Sequence, residues 1–148
     1  MKLYLDLCLY YRPFDDQSNE RIKLETNILL IFLEWIAAGR ASLLNSFALE
    51  FENSKNPNLE KRYKVTGLLK YATEYIAFDE IILARSLTLE KYGLMSMDAL
   101  HIACAEFANA DFFITCDDKM VKRAQRQKNI GIACYDALNF VYKELFNL

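Results

Sequence analysis

Five short β-prone runs, each followed by a longer stretch with helical spacing, constrain this chain more than any other feature. The runs are Lys2–Leu5, Leu43–Ser46, Tyr75–Phe78, Asp111–Thr115 and Gly131–Tyr135. Strands that alternate with helices predict a parallel sheet with helices on both faces. Strands buried between two helical layers should be apolar throughout, as Phe112-Phe113-Ile114 is. The expected fold is therefore α/β, a three-layer α/β/α sandwich around a central, mainly parallel sheet of four to five strands.

The helical segments carry their own boundary signals. Ile22, Leu29, Leu33 and Ile36 recur at helical spacing, which predicts a helix over 19–38, closed by Gly39 as a C-terminal cap. Phe47 to Ser54 reads as a short helix. Asn56-Pro57-Asn58 is a break, with Pro57 suited to the first turn of an amphipathic helix over 59–73. Further helices are predicted over 80–92, ended by Gly93, and over 97–108, capped by Ser96. A basic helix starts at Asp117-Asp118, and Asp136 caps a closing helix to Phe146.

At 148 residues, 53% hydrophobic and 26% charged, the chain fits one domain over 1–148 with a substantial core. The N-terminus carries a charge at Asp6, where a signal peptide needs a longer apolar run, and Ile28 to Leu33 is too short to cross a bilayer. These features predict a soluble, cytoplasmic protein with no membrane partner. Cys8, Cys104, Cys116 and Cys134 form no C-x-x-C pair and accompany a single His, which argues against a zinc site and for free thiols. The net charge of −2 argues against a surface that coats nucleic acid. It leaves room for an acidic site that meets phosphate through bound cations.

The acids supply such a site. Asp6 ends the first run, Asp117 follows the strand ending at Thr115, Asp98 lies in a first helical turn, and Glu52 follows the second strand. A parallel sheet gathers such element ends at one rim, outside the carboxyl ends of the strands. Carboxylates crowded together repel one another, and a divalent cation removes that conflict. Hard, oxygen-preferring Mg²⁺ or Mn²⁺ is the natural partner. A metal so held can generate hydroxide near neutral pH and stabilise charge on a phosphate, with no nucleophilic side chain.

The segments Tyr4-Leu5-Asp6, then Ser46 and Glu52, then Met97-Asp98-Ala99-Leu100-His101-Ile102-Ala103, then Ala110 to Asp118, resemble the PIN-domain family in order, spacing and local context. The resemblance spans most of the chain. It implies an α/β/α sandwich and Mg²⁺- or Mn²⁺-dependent endoribonuclease activity on RNA. It places Asp6, Glu52, Asp98 and Asp117 at the metal and catalytic positions, with Thr115 as a supporting hydroxyl. Many small relatives are toxins neutralised by an antitoxin protein, and relatives often pair as homodimers. Two departures stand out. Leu7 occupies a position where the family has Thr or Ser, and Arg12 to Gln17 inserts polar residues early.

Individual residues carry simpler readings as well. Asp98 alone would be a first-turn acid favoured by the helix dipole. Asp117 is assigned to metal, and Asp118 to the cap or an outer shell. Glu50 and Glu52 point about 200° apart on a helix, so one alone should face the site, and spacing from Ser46 favours Glu52. His101 reads as a packed, hydrogen-bonded ring rather than a base. Lys119, Lys122, Arg123 and Arg126 form a basic stripe beside Asp117, read equally as a solvated face or as phosphate contacts, with Arg12 a weaker candidate. The rival function is a degenerate PIN module that binds RNA or a protein without cleavage, motivated by Leu7. A phosphotransfer domain would require an Asp-x-Asp element that Asp6-Leu7-Cys8 does not provide.

Overall fold

In the computed structural model, which describes residues 1–146 and side-chain surroundings through residue 144, the centre of the fold is strand β1 (Lys2–Leu5). Leu3, Tyr4 and Leu5 are fully buried, as a strand covered on both faces requires. Around it lie β2 (Ser42–Ser46), β3 (Glu74–Ile76), β4 (Phe112–Thr115) and β5 (Ala133–Asp136). All pairings are parallel and the order is β3-β2-β1-β4-β5. This is the expected α/β/α fold. The last two residues of the expected 1–148 unit lie outside the described residues.

The helices are α1 (Leu7–Tyr11), α2 (Glu20–Ala37), α3 (Phe47–Ser54), α4 (Leu59–Leu69), α5 (Glu80–Lys91), α6 (Ser96–Phe107), α7 (Asp118–Gln125) and α8 (Ala137–Phe146). Helix α2 begins where the Asn19 side chain accepts from the Ile22 N–H. It ends where Gly39, at φ 73°, turns the chain so that the Arg40 N–H reaches the Trp35 carbonyl. That left-handed position suits glycine, as the sequence predicts. Ile28, Leu29, Phe32 and Trp35 form its buried face. Phe32 and Phe112 both pack edge-on against Phe140 of α8.

Several boundaries differ from expectation, each for a local reason. Helix α4 stops at Leu69 rather than Thr73, because the Thr73 N–H donates instead to the Leu43 carbonyl at 2.8 Å and leads the chain into β3. Pro57 lies ahead of the helix, whose cap is the Asn58 side chain. Ser96 is the first residue of α6 rather than its cap; Met95 takes the cap position with no side-chain bond. The early polar insert is a turn, with α1 continuing into a 3₁₀ turn at Arg12–Phe14.

The chain leaves β1 toward β2 and β3, then returns to lay β4 and β5 on β1's other side. Strand order therefore reverses between β1 and β4, and the connections after those two strands diverge. An open crevice at the carboxyl end is the consequence.

Candidate metal centre

Asp6 stands at that crevice, directly after β1. Its N–H continues the ladder to the Ile114 carbonyl at 2.8 Å. Its Oδ1 accepts from the Leu7 N–H at 2.8 Å and so caps α1. Its Oδ2 accepts from the Thr115 hydroxyl at 2.7 Å. The same Thr115 oxygen accepts from the Asp117 N–H at 3.1 Å, so one buried hydroxyl joins the ends of β1 and β4. Leu7 is buried and its side chain makes no polar contact, but both Asp6 oxygens already have donors.

Of the acids after β4, Asp117 both lines the crevice and takes the cap role expected of Asp118. Asp117 is the cap of α7, with Oδ1 accepting from the Lys119 and Met120 N–H groups at 3.0 and 3.1 Å. Asp118 neither caps the helix nor lines the crevice. Both of its oxygens accept from the Arg21 guanidinium at 2.8 Å. Arg21 also donates to the Cys116 carbonyl and pairs with Glu25, which ties α2 to the loop carrying Asp117.

Glu52 and Glu50 separate as helical geometry requires. Glu50 accepts from Asn45 and Tyr75 on one side of α3. Glu52 turns to the crevice, where its Oε1 lies 3.0 Å from His101 Nε2. Asp98, in the first turn of α6, accepts no hydrogen bond among the described residues. Its carboxyl is pushed up to about 6 by burial, then by the negative charges of Asp6 and Asp117, with His101 opposing. Burial disfavours a charged His101, yet the Glu52 contact and the charges of Asp6, Glu52 and Asp98 prevail and raise its pKa.

Asp6, Glu52, Asp98 and Asp117 all line one open cleft of about 460 Å³, together with Cys8, Tyr11 and Lys55. Carboxylates contributed by α3, α6 and the ends of β1 and β4 thus converge. Among the described residues, no Lys or Arg forms an ion pair with Asp6, Asp98 or Asp117, and Glu52 pairs with His101 alone. Lys55 is directed over the Phe51 ring. Surplus negative charge on oxygen donors is the arrangement that a hard divalent ion balances. Ligand atoms of Asp6, Glu52 and His101 lie within 4.8 Å of one another. The residues present fit a hard divalent cation.

The basic stripe keeps its helical spacing along α7, with Lys119, Lys122 and Arg126 exposed and Arg123 half-buried, but it does not line the acidic cleft. Lys119 is exposed beside Asp117, but Lys122 lines a different cleft with Arg21, Asp118 and Gln125. Arg126 lies just past the last residue of α7. Arg12 is no free phosphate contact. It is held by Glu25 at 2.9 Å and Asp15 at 3.0 Å. Sequence reasoning missed Lys55 and Cys8 as cleft residues. It also missed that buried His101 joins Glu52 to Tyr4 and Ser46. The placement of His101 three residues after Asp98 was its one local signal.

A family model for the PIN domain matches residues 24–126, more than half of the chain. Glu52, Asp98 and Asp117 fall within that segment, and Asp6 precedes it. VapBC2 from Rickettsia felis, crystallised with a DNA fragment from their promoter, is similar in fold: 18% identity, 92% of this chain and 100% of that chain covered, TM-score 0.56. PAE2754 from Pyrobaculum aerophilum shows 11% identity over 97% of both chains, with a TM-score of 0.49. No curated protein matches the sequence.

Proposed function

The chain belongs to the PIN-domain family, and from that premise we propose that it is a divalent-metal-dependent nuclease that hydrolyses RNA phosphodiester bonds. The observation that carries this reading is the convergence of Asp6, Glu52, Asp98 and Asp117 on one cleft, with no Lys or Arg among the described residues pairing with the three aspartates. These four residues are the proposed ligands of Mg²⁺ or Mn²⁺. The ion, when bound, would activate water and stabilise charge on the phosphate. The chain's own contribution is rigid placement. Leu7 N–H and the Thr115 hydroxyl fix Asp6, and the α7 N-terminus fixes Asp117. Lys55 at the cleft edge and exposed Lys119 are the proposed contacts to flanking phosphates.

The donors on Asp6 also bear on the rival, non-cleaving reading. A Thr or Ser side chain at position 7 would add a polar contact, but Asp6 is oriented without one. We place the protein in the cytoplasm as a toxin held in check by an antitoxin protein, and self-association as a homodimer belongs to the same proposal. No described helix is long and apolar enough to cross a membrane.

The test is cleavage of structured and single-stranded RNAs with Mn²⁺ or with EDTA, beside Asp6→Asn and Asp98→Asn. Cleavage that requires the ion and is lost in both variants supports the enzyme. RNA binding without cleavage under every metal condition supports the degenerate module. Growth arrest on expression, relieved by a neighbouring gene product, tests the toxin role.

A further inference from the structure

His101 is the one histidine of the chain, 1% exposed, and both of its ring nitrogens are engaged. Nδ1 lies 2.7 Å from the Tyr4 hydroxyl, and that hydroxyl lies 2.7 Å from Ser46 Oγ. Ser46 Oγ accepts from the Leu49 N–H at 3.0 Å and caps α3, the helix that carries Glu52. Nε2 lies 3.0 Å from Glu52 Oε1. The four side chains thus form a loop of contacts that starts at the cap of α3, passes through β1 and α6, and ends on α3.

The hydrogens can be placed by elimination. A carboxylate oxygen and a bare imidazole nitrogen are both acceptors, and two acceptors 3.0 Å apart repel. Nε2 therefore carries a proton and donates it to Glu52. Nδ1 is then matched by Tyr4, whose hydroxyl can donate to a bare Nδ1 or accept from a protonated one. Tyr4 is itself fixed, fully buried and stacked on Phe113 at 5.5 Å between ring centroids. The ring of His101 has no freedom to swing.

We infer that His101, held by Tyr4 and Ser46, is a positioning residue that sets the direction of the Glu52 carboxylate toward the metal. The inference rests on the metal-dependent reading above. Glu52 needs such a device more than Asp6 and Asp117 do. It sits at the end of a flexible side chain, whereas Asp6 and Asp117 are fixed by backbone N–H groups. Outer contacts of this kind orient ligating carboxylates, and their loss costs roughly 10–100-fold in metal affinity. The competing assignment is direct ligation, since His101 belongs to the group whose ligand atoms lie within 4.8 Å.

Two measurements decide between them. In ¹⁵N-labelled protein the single imidazole gives one unambiguous set of ring signals. Nε2 is expected to be protonated in the metal-free state and to stay so when Mg²⁺ is added. A bare Nε2 in the metal-free state, or loss of its proton on adding Mg²⁺, overturns the inference. Calorimetric titration with Mn²⁺ then compares wild type with His101→Leu and His101→Gln. Leu should weaken binding about 10–100-fold, and Gln, which restores an N–H donor, should recover much of it. Wild-type affinity in folded His101→Leu refutes the positioning role. If that variant does not fold, the near-isosteric Tyr4→Phe decides, and unchanged Mn²⁺ affinity refutes it. A wild-type protein that binds no Mn²⁺ would instead break the metal reading, while the ring signals would still test the proton placement.

Discussion

Replacing Asp98 with Asn should stabilise the metal-free protein, and only above mildly acid pH. In the fold the Asp98 carboxyl lies at about 6, against 3.8 for the free group, because burial and the charges of Asp6 and Asp117 disfavour its ionisation. The folded state then holds a proton that the unfolded chain has released. Stability from this group is full below pH 3.8, falls as pH rises toward 6, and is lost above it. A shift of about two units corresponds to about 3 kcal/mol. Asp98 remains partly open to solvent, so screening reduces this to about 1–2 kcal/mol. For a domain of this size that is a rise in Tm of about 3–6 °C. The assay is thermal unfolding in EDTA, wild type against Asp98→Asn, from pH 4.5 to 8. The variant's advantage should be small at the acid end and reach its full value above pH 6.5. A constant difference across that range, or a variant less stable at pH 8, would refute the claim that Asp98 is crowded by like charge.

Three further outcomes are expected. Mn²⁺ at a hundredfold excess over its Kd should raise wild-type stability by about 2.7 kcal/mol, with little effect on Asp98→Asn; equal stabilisation of both by thermal shift would count against Asp98 as a ligand. Glu25→Gln leaves Arg12 and Arg21 without their shared buried carboxylate, and should cost about 3 kcal/mol, the lower end for breaking a buried pair, because both arginines retain solvent access; urea unfolding with a loss below about 1 kcal/mol would contradict it. Tyr10→Phe removes a buried hydroxyl that has no hydrogen-bond partner among the described residues, and should leave stability unchanged or raise it by about 1 kcal/mol; a clear destabilisation in the same assay would mean the hydroxyl is bonded.

What the sequence disclosed follows from what is periodic or local. Apolar runs ending in Asp6 and Thr115, and the interval separating Glu50 from Glu52, are properties of strand and helix geometry. They located the acids before any tertiary contact was known. What it withheld depends on partners far apart in the chain. Arg12 looks like a free cation in sequence, yet Glu25 and Asp15 hold it. Asp118 looks like a cap, yet Arg21, 97 residues away, takes both of its oxygens and leaves the cap to Asp117. The stripe on α7 has regular spacing, but α7 turns Lys122 into a second cleft. His101 hides its role because the link to Tyr4 crosses 97 residues and the link to Glu52 crosses 49.

The most direct measurement of the central claim is anomalous diffraction from crystals grown with Mn²⁺. A Mn²⁺ peak is expected within bonding distance of oxygens from Asp6, Asp98 and Asp117, with Glu52 directly bound or one water away. A cleft with no peak at saturating Mn²⁺, or a peak ligated elsewhere on the surface, would contradict it.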